Sequence, residues 1–186
     1  MAINVKKILA DELLELINKQ NLQTITIKQL LDATGISRQT FYNHFIDKND
    51  LIQYIYNTRI VPGFDISKPE ISFYDSLLET LENMKTYHVF MKQACMMEGQ
   101  NCLKDYIFEH CEQFDLQYHR HLYGKDLPEP LVFATIYHAH ASSSMTLSWI
   151  LSDMPVSTKE IAKLIVNMRS LGMDQLFGEN KNPYKD

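Results

Sequence analysis

The sequence predicts an all-α chain: a module of short helices at the N-terminus followed by a bundle of longer ones. Three observations carry that prediction. Apolar residues recur at steps of three and four, no stretch alternates apolar and polar residues as a half-buried strand does, and Gly and Pro number only six each in 186 residues. A hydrophobic content of 45% with 22% charged residues gives a globular composition, enough for one sizeable core or for two modules on a continuous helical scaffold.

Val5, Leu9, Leu13, Leu16 and Ile17 place the first helix at about 3 to 19, with Asn21 as its left-handed end. Thr26 offers a hydroxyl cap to a second helix of barely two turns, whose stripe is Ile27, Leu30 and Leu31 and whose end is Gly35. Ser37 can cap a third short helix after a tight turn, and Asp47 a fourth, in which Leu51, Ile52, Ile55 and Ile60 form the apolar face before Pro62 and Gly63 stop it. Beyond that break, Ser72 starts a helix to about Tyr87 that continues or kinks near 88 to 97, and Cys102 to Leu122 forms the next. Leu127-Pro128-Glu129-Pro130 connects it to a hairpin of helices at 131 to 151 and 157 to 177, the second capped by Ser157 with Glu160. The division into domains is set at 1–47 and 48–186.

No apolar run approaches the roughly 20 residues of a membrane span, and Asp11 and Glu12 interrupt what Lys6 and Lys7 begin like a signal peptide. A soluble, cytoplasmic protein is expected, with no membrane partner. Cys95, Cys102 and Cys111 are an odd number without CxxC spacing, so reduced thiols are expected rather than a disulfide frame or a zinc ribbon. The net charge of -5 is uneven: residues 1 to 60 hold seven Lys or Arg against six Asp or Glu, net +1, and the rest is net -6. A near-neutral head on an acidic body is compatible with a nucleic-acid contact at one end, where local rather than net charge matters.

The stretch from Thr26 to Phe45 carries the chemistry. Phe41 and Phe45, four apart, can pin the third helix against Ile27, Leu30 and Ile36, which leaves its other side polar. A DNA major groove admits one helix whose N-terminal side chains reach base edges. Arg38 can fork to guanine, Gln39 or Asn43 can pair with adenine, and His44 shares their face. Thr26, Lys28, Ser37, Thr40, Tyr42 and Lys48 suit the backbone, and the helix N-termini at Thr26 and Asp47 add oriented N–H groups. On geometry alone the same face could be an ordinary solvated surface.

The run from Ile8 to Leu51 resembles the N-terminal domain of the TetR family of regulators, with ILADELLELI, Thr26-Ile-Lys-Gln-Leu, Gly35-Ile-Ser, Thr40-Phe-Tyr-Asn-His-Phe and Lys48-Asn-Asp-Leu in order. The resemblance implies a third helix in the major groove, phosphate contacts from Thr40, Tyr42 and Lys48, and dimerisation through the last two helices. Leu31 and Thr34 stand where the family usually has Ala, and Asn21 where it usually has Gly. Ala139 to Leu151, Met154-Pro-Val-Ser and Lys159-Glu-Ile-Ala-Lys-Leu are similar to the subgroup of dihydroxyacetone-kinase operon regulators.

Elsewhere, HxH pairs at His119/His121 and His138/His140 point about 200° apart on a helix, so no metal site and no cofactor is expected. Met84, Tyr87, Met91, Tyr106, Tyr118 and Trp149 belong to a Met- and aromatic-rich set that could line an effector pocket, though most such residues are plain core. Small residues such as Ala139, Ser142 and Ser143 permit close helix approach, either between subunits or within one. No P-loop, nucleophile elbow or HExxH is present, so an enzyme is not expected. The sequence therefore reads as a DNA-binding regulator, a repressor binding a near-palindromic double-stranded operator as a homodimer under the control of an effector. The alternatives are a co-activator or adaptor controlled by a partner protein, and a redox or metal sensor.

Overall fold

In the computed structural model of the chain, residues 4–61 and 72–177 are described, with side chains as far as Leu171. Pro62 and Gly63, the expected stop of the fourth helix, lie outside the described residues. Those described form helices and turns, with no strand among them.

The head is built by caps. α1 (Val5–Leu16) starts where Asn4 accepts a hydrogen bond from the Lys7 backbone, and it buries Leu9, Ala10 and Leu13. Its end departs from expectation. Asn21 is extended (φ -66°, ψ 134°) rather than left-handed, and its side chain caps a 3-10 turn, Leu22–Thr24, that periodicity did not reveal. The buried Leu22 sets the path there, its N–H held by Gln93 Oε1 at 2.6 Å. α2 (Ile27–Thr34) opens on a reciprocal capping box between Thr26 and Gln29, and ends at Gly35 with φ +70°, a conformation that favours glycine. Ser37 caps α3 (Arg38–Tyr42), and Asp47 caps α4 (Lys48–Ile55).

α4 runs directly into a π-helical segment, Tyr56–Ile60, marked by the bond from Val61 N to Tyr56 O. This rod carries Leu51 and Ile52 in the head and Tyr56, fully buried, in the body. One core runs without a break from Leu9 to Ile165, across the expected division at 47/48. Polar ties reinforce it: Arg59 pairs with Asp11 at 2.5 Å, and Asn49 and Gln53 donate to the carbonyls of Gln100 and Asn101.

The body comprises α5 (Phe73–Thr86), α6 (His88–Cys95), α7 (Leu103–Tyr123), α8 (Glu129–Leu151) and α9 (Thr158–Phe177). Tyr87, at φ -100° and ψ 33°, breaks the chain between α5 and α6, so the 88–97 region is a separate helix. α8 begins at Glu129, with Pro130 in its first turn, where a missing N–H costs nothing. α7 and α8 form the most extensive pairing, and α9 packs on both α5 and α8. At the α8–α9 corner Asp153 and Met154 are left-handed (φ +62° and +53°). Met154 N bonds Trp149 O, the Trp149 indole donates to Val156 O at 3.0 Å, and Lys92 pairs with Asp153.

Candidate nucleic-acid interface and body cavity

α3 is held from beneath and presented from above. Phe41 and Phe45 are buried, their ring centroids 5.7 Å apart, and Phe45 meets Tyr54 edge-on at 5.6 Å with Lys6 Nζ over both rings. On the opposite side Ser37, Arg38, Gln39, Tyr42, Asn43 and His44 are exposed, as are Thr26 and Lys28 on the neighbouring turn, while Thr40 is half-buried. The display is ordered before anything binds. Gln39 donates to Asn43 Oδ1 at 3.0 Å, the Arg38 guanidinium lies 5.5 Å over the Tyr42 ring, and Ser37 Oγ meets Thr40 Oγ1 at 2.8 Å. Amide and guanidinium groups on one helix face, backed by short hydroxyls, are the set that reads base edges while gripping phosphate.

Lys48 is placed differently from its expected phosphate role. Its ammonium donates to the carbonyls of Leu22 (2.9 Å), Gln23 (3.3 Å) and Ile25 (2.8 Å), and burial holds its pKa below the usual lysine value. An ammonium has three protons, and this geometry directs all of them inward. Lys48 thus ties the 3-10 turn to the start of α4. The departures at α2 are absorbed locally: Leu31 packs against the core, and the Thr34 hydroxyl donates back to Leu30 O at 2.8 Å.

The body contains a cavity of about 110 Å³ among α5, α7, α8, α9 and the π segment. Of the six residues expected to line an effector pocket, only Met84 does so. Met91 is fully buried core, Trp149 is committed to the α8–α9 corner, and Tyr106 stacks on His110 and accepts from Asn57. Tyr87 borders a separate groove beside α1, and Tyr118 packs on Phe73 outside the cavity wall. The residues that do line it and that sequence reasoning missed include Tyr56, His110, Asp115, Ser143 and Arg169.

Asp115 and Arg169 form a buried ion pair at 2.6 Å. Arg169 also donates to Ser142 Oγ and lies over the Phe73 ring at 4.7 Å. Burial pushes the Asp115 carboxyl up and Arg169 opposes it. Burial likewise lowers His110 and raises Cys111 and Tyr56, so each of these is uncharged at neutral pH. His119, bonded to Thr135 Oγ1 at 2.7 Å, is lowered to about 4 by burial, with Arg169 and His138 adding to the effect. Burial pushes the Cys95 thiol up to about 12, which makes it a poor redox nucleophile. His140 pairs with Glu112 at 2.7 Å, and among the described residues no three His, Cys, Asp or Glu side chains gather as a metal site. No helix among them is long and apolar enough to cross a membrane.

A helix-turn-helix with an exposed recognition face, carried on a helical body, defines a transcription regulator. Residues 9–55 match the model of bacterial regulatory proteins of the tetR family, and residues 72–170 match that of a transcriptional regulator C-terminal region. The chain belongs to the TetR family. No curated protein matches it. Among solved structures it is similar to the dihydroxyacetone kinase operon activator DhaS, with 19% identity over 95% of this chain and 99% of that one and a TM-score of 0.67, a likeness of fold.

Proposed function

We propose that the protein is a repressor that binds a near-palindromic operator as a homodimer through α3, with the α8 and α9 faces as the subunit contact and the body cavity as the effector site. The single observation that supports the DNA-reading role best is the outward face of α3. Its Arg, Gln, Asn, Tyr and His side chains are exposed, with Gln39 bonded to Asn43 and Arg38 lying over Tyr42. Two such helices would enter successive major grooves about 34–36 Å apart.

The dimer reading rests on apolar side chains left in solvent on the last two helices. Phe133 is 73% exposed and Leu164 56%, and Leu171, Tyr137, Met145 and Met168 lie between those values. Isolated exposed apolar residues are ordinary, but a set concentrated on an adjacent helix pair supports an interface. The α4 rod offers the coupling path: Tyr56 forms part of the cavity wall, and one turn away Ile52 and Leu51 belong to the head. An effector acts only if it favours one of two arrangements of that rod.

Binding of DNA from upstream of the gene, followed by the mass of the complex, tests the proposal. Two chains per duplex are expected, and five base pairs inserted between half-sites should abolish binding by rotating one groove away. A complex of one chain, or indifference to the insertion, would contradict it. A second reading, an activator controlled by a partner protein, is favoured by two points: the structural neighbour is by name an operon activator, and the cavity is smaller than the roughly 300–1,000 Å³ of most ligand pockets. In vitro transcription separates the two, since added protein lowers the transcript for a repressor and raises it for an activator.

A further inference from the structure

The cavity wall specifies the chemistry of an occupant. We propose that it takes a small neutral molecule, a compact hydrocarbon of about four to six heavy atoms bearing one hydroxyl or carbonyl group, and that this group bonds to Ser143 Oγ. The inference rests on the reading of this cavity as the effector site.

Three observations carry it. First, size: about 110 Å³ is somewhat less than the roughly 150 Å³ of an apolar cavity known to hold benzene, so a five-membered ring with one substituent is near the limit. Second, polarity: Leu77, Leu81, Met84, Ile107 and Ile165 make most of the wall apolar, yet Ser143 lies 3% exposed on α8 with an Oγ that has no partner among the described residues beyond the weak Cys111 thiol. A buried hydroxyl with only a thiol beside it is uncommon, because it loses its bond to water and gains little in exchange. A ligand oxygen supplies the missing bond. Third, charge: the only ionised groups among the lining residues, Asp115 and Arg169, neutralise each other at 2.6 Å, and Arg169 further bonds Ser142. A charged ligand would be stripped of water and meet no unmatched counterion.

Met84 contributes a methyl group to the wall and reports on occupancy. The full-length protein, labelled with 13C at its methionine methyls, is titrated with three near-isosteric probes: cyclopentanol, methylcyclopentane and cyclopentylammonium. The Met84 resonance, assigned with Met84→Leu, should shift saturably with cyclopentanol and stay put with the ammonium. In Ser143→Ala the ratio of alcohol affinity to alkane affinity should fall at least tenfold, while the alkane binds as well or better, which also shows that the variant is folded with its cavity intact. An unchanged ratio, binding of the ammonium as tight as that of the alcohol, or no shift with any probe would overturn the proposal. Operator affinity is measured separately with the probe at saturation. A Met84 shift without a change in operator affinity would leave this site standing and remove its role as the effector switch.

Discussion

In the head, Arg38, Gln39, Asn43 and His44 stand on the outside of a helix whose position is fixed by Phe41 and Phe45. In the body, Asp115, His119, Thr135, Ser143 and Arg169 lie inside. A polar side chain on the surface is free to be chosen for a partner, because removing it costs the fold little. One in the interior must first satisfy its own hydrogen bonds and charge, and only what is left over can serve a ligand. The head therefore reveals its function through what it exposes. The body does so through one hydroxyl, that of Ser143, for which its neighbours leave only the weak Cys111 thiol.

Variants can break that contrast, and the largest effect is expected at the ion pair. Arg169→Ala leaves Asp115 charged and uncompensated in the interior and should cost about 3–5 kcal/mol in urea denaturation. Asp115→Leu with Arg169→Met should recover most of it, and a cost below about 1 kcal/mol for the single change would mean that the pair is solvated. His119 gives the next effect. The unfolded chain takes up its proton near the ordinary value of 6.5 and the folded chain only near 4, so stability is complete above 6.5 and falls as pH drops through that window, by up to about 3 kcal/mol. Urea midpoints at pH 7 and 4.5 should differ less in His119→Gln than in the wild type.

Lys48→Met separates the two roles assigned to that lysine. As the tie for three carbonyls, it should lower stability by about 1–2 kcal/mol and leave the salt dependence of DNA binding unchanged. As a phosphate contact, it would instead reduce the salt slope by about one with little loss of stability.

The head was legible because its signals are local. Thr26, Gly35, Ser37 and Asp47 announce caps and turns by residue type alone, and all four occupy the expected positions. The 3-10 turn at Leu22–Thr24 was not legible, because it is fixed by Gln93 and Lys48, far away in sequence. The body's interior could have been found through its spacing. Leu103, Ile107, Cys111, Asp115 and His119 follow at steps of four on α7, as do Leu131, Thr135, Ala139, Ser143 and Leu147 on α8, so the polar residues occupy core positions in register. Arg169 continues Ile161 and Ile165 in the same way on α9. A set chosen instead for aromatic or Met character captured Met84 alone, since Trp149 and Met91 fill space rather than border it. Which polar atom would lack a partner depends on three helices at once, and no single stretch of sequence encodes that.

The smallest expected change in stability belongs to the Arg38→Ala, Tyr42→Ala double variant, within about 1 kcal/mol of wild type because both side chains are exposed. The same variant tests whether α3 is the DNA-reading element, by fluorescence anisotropy on DNA from upstream of the gene across a salt series. Specific binding by the wild type should strengthen as salt falls and weaken at least tenfold in the double variant. Equal binding by both proteins, with equal salt slopes, would contradict that role and place the DNA contact elsewhere than on α3.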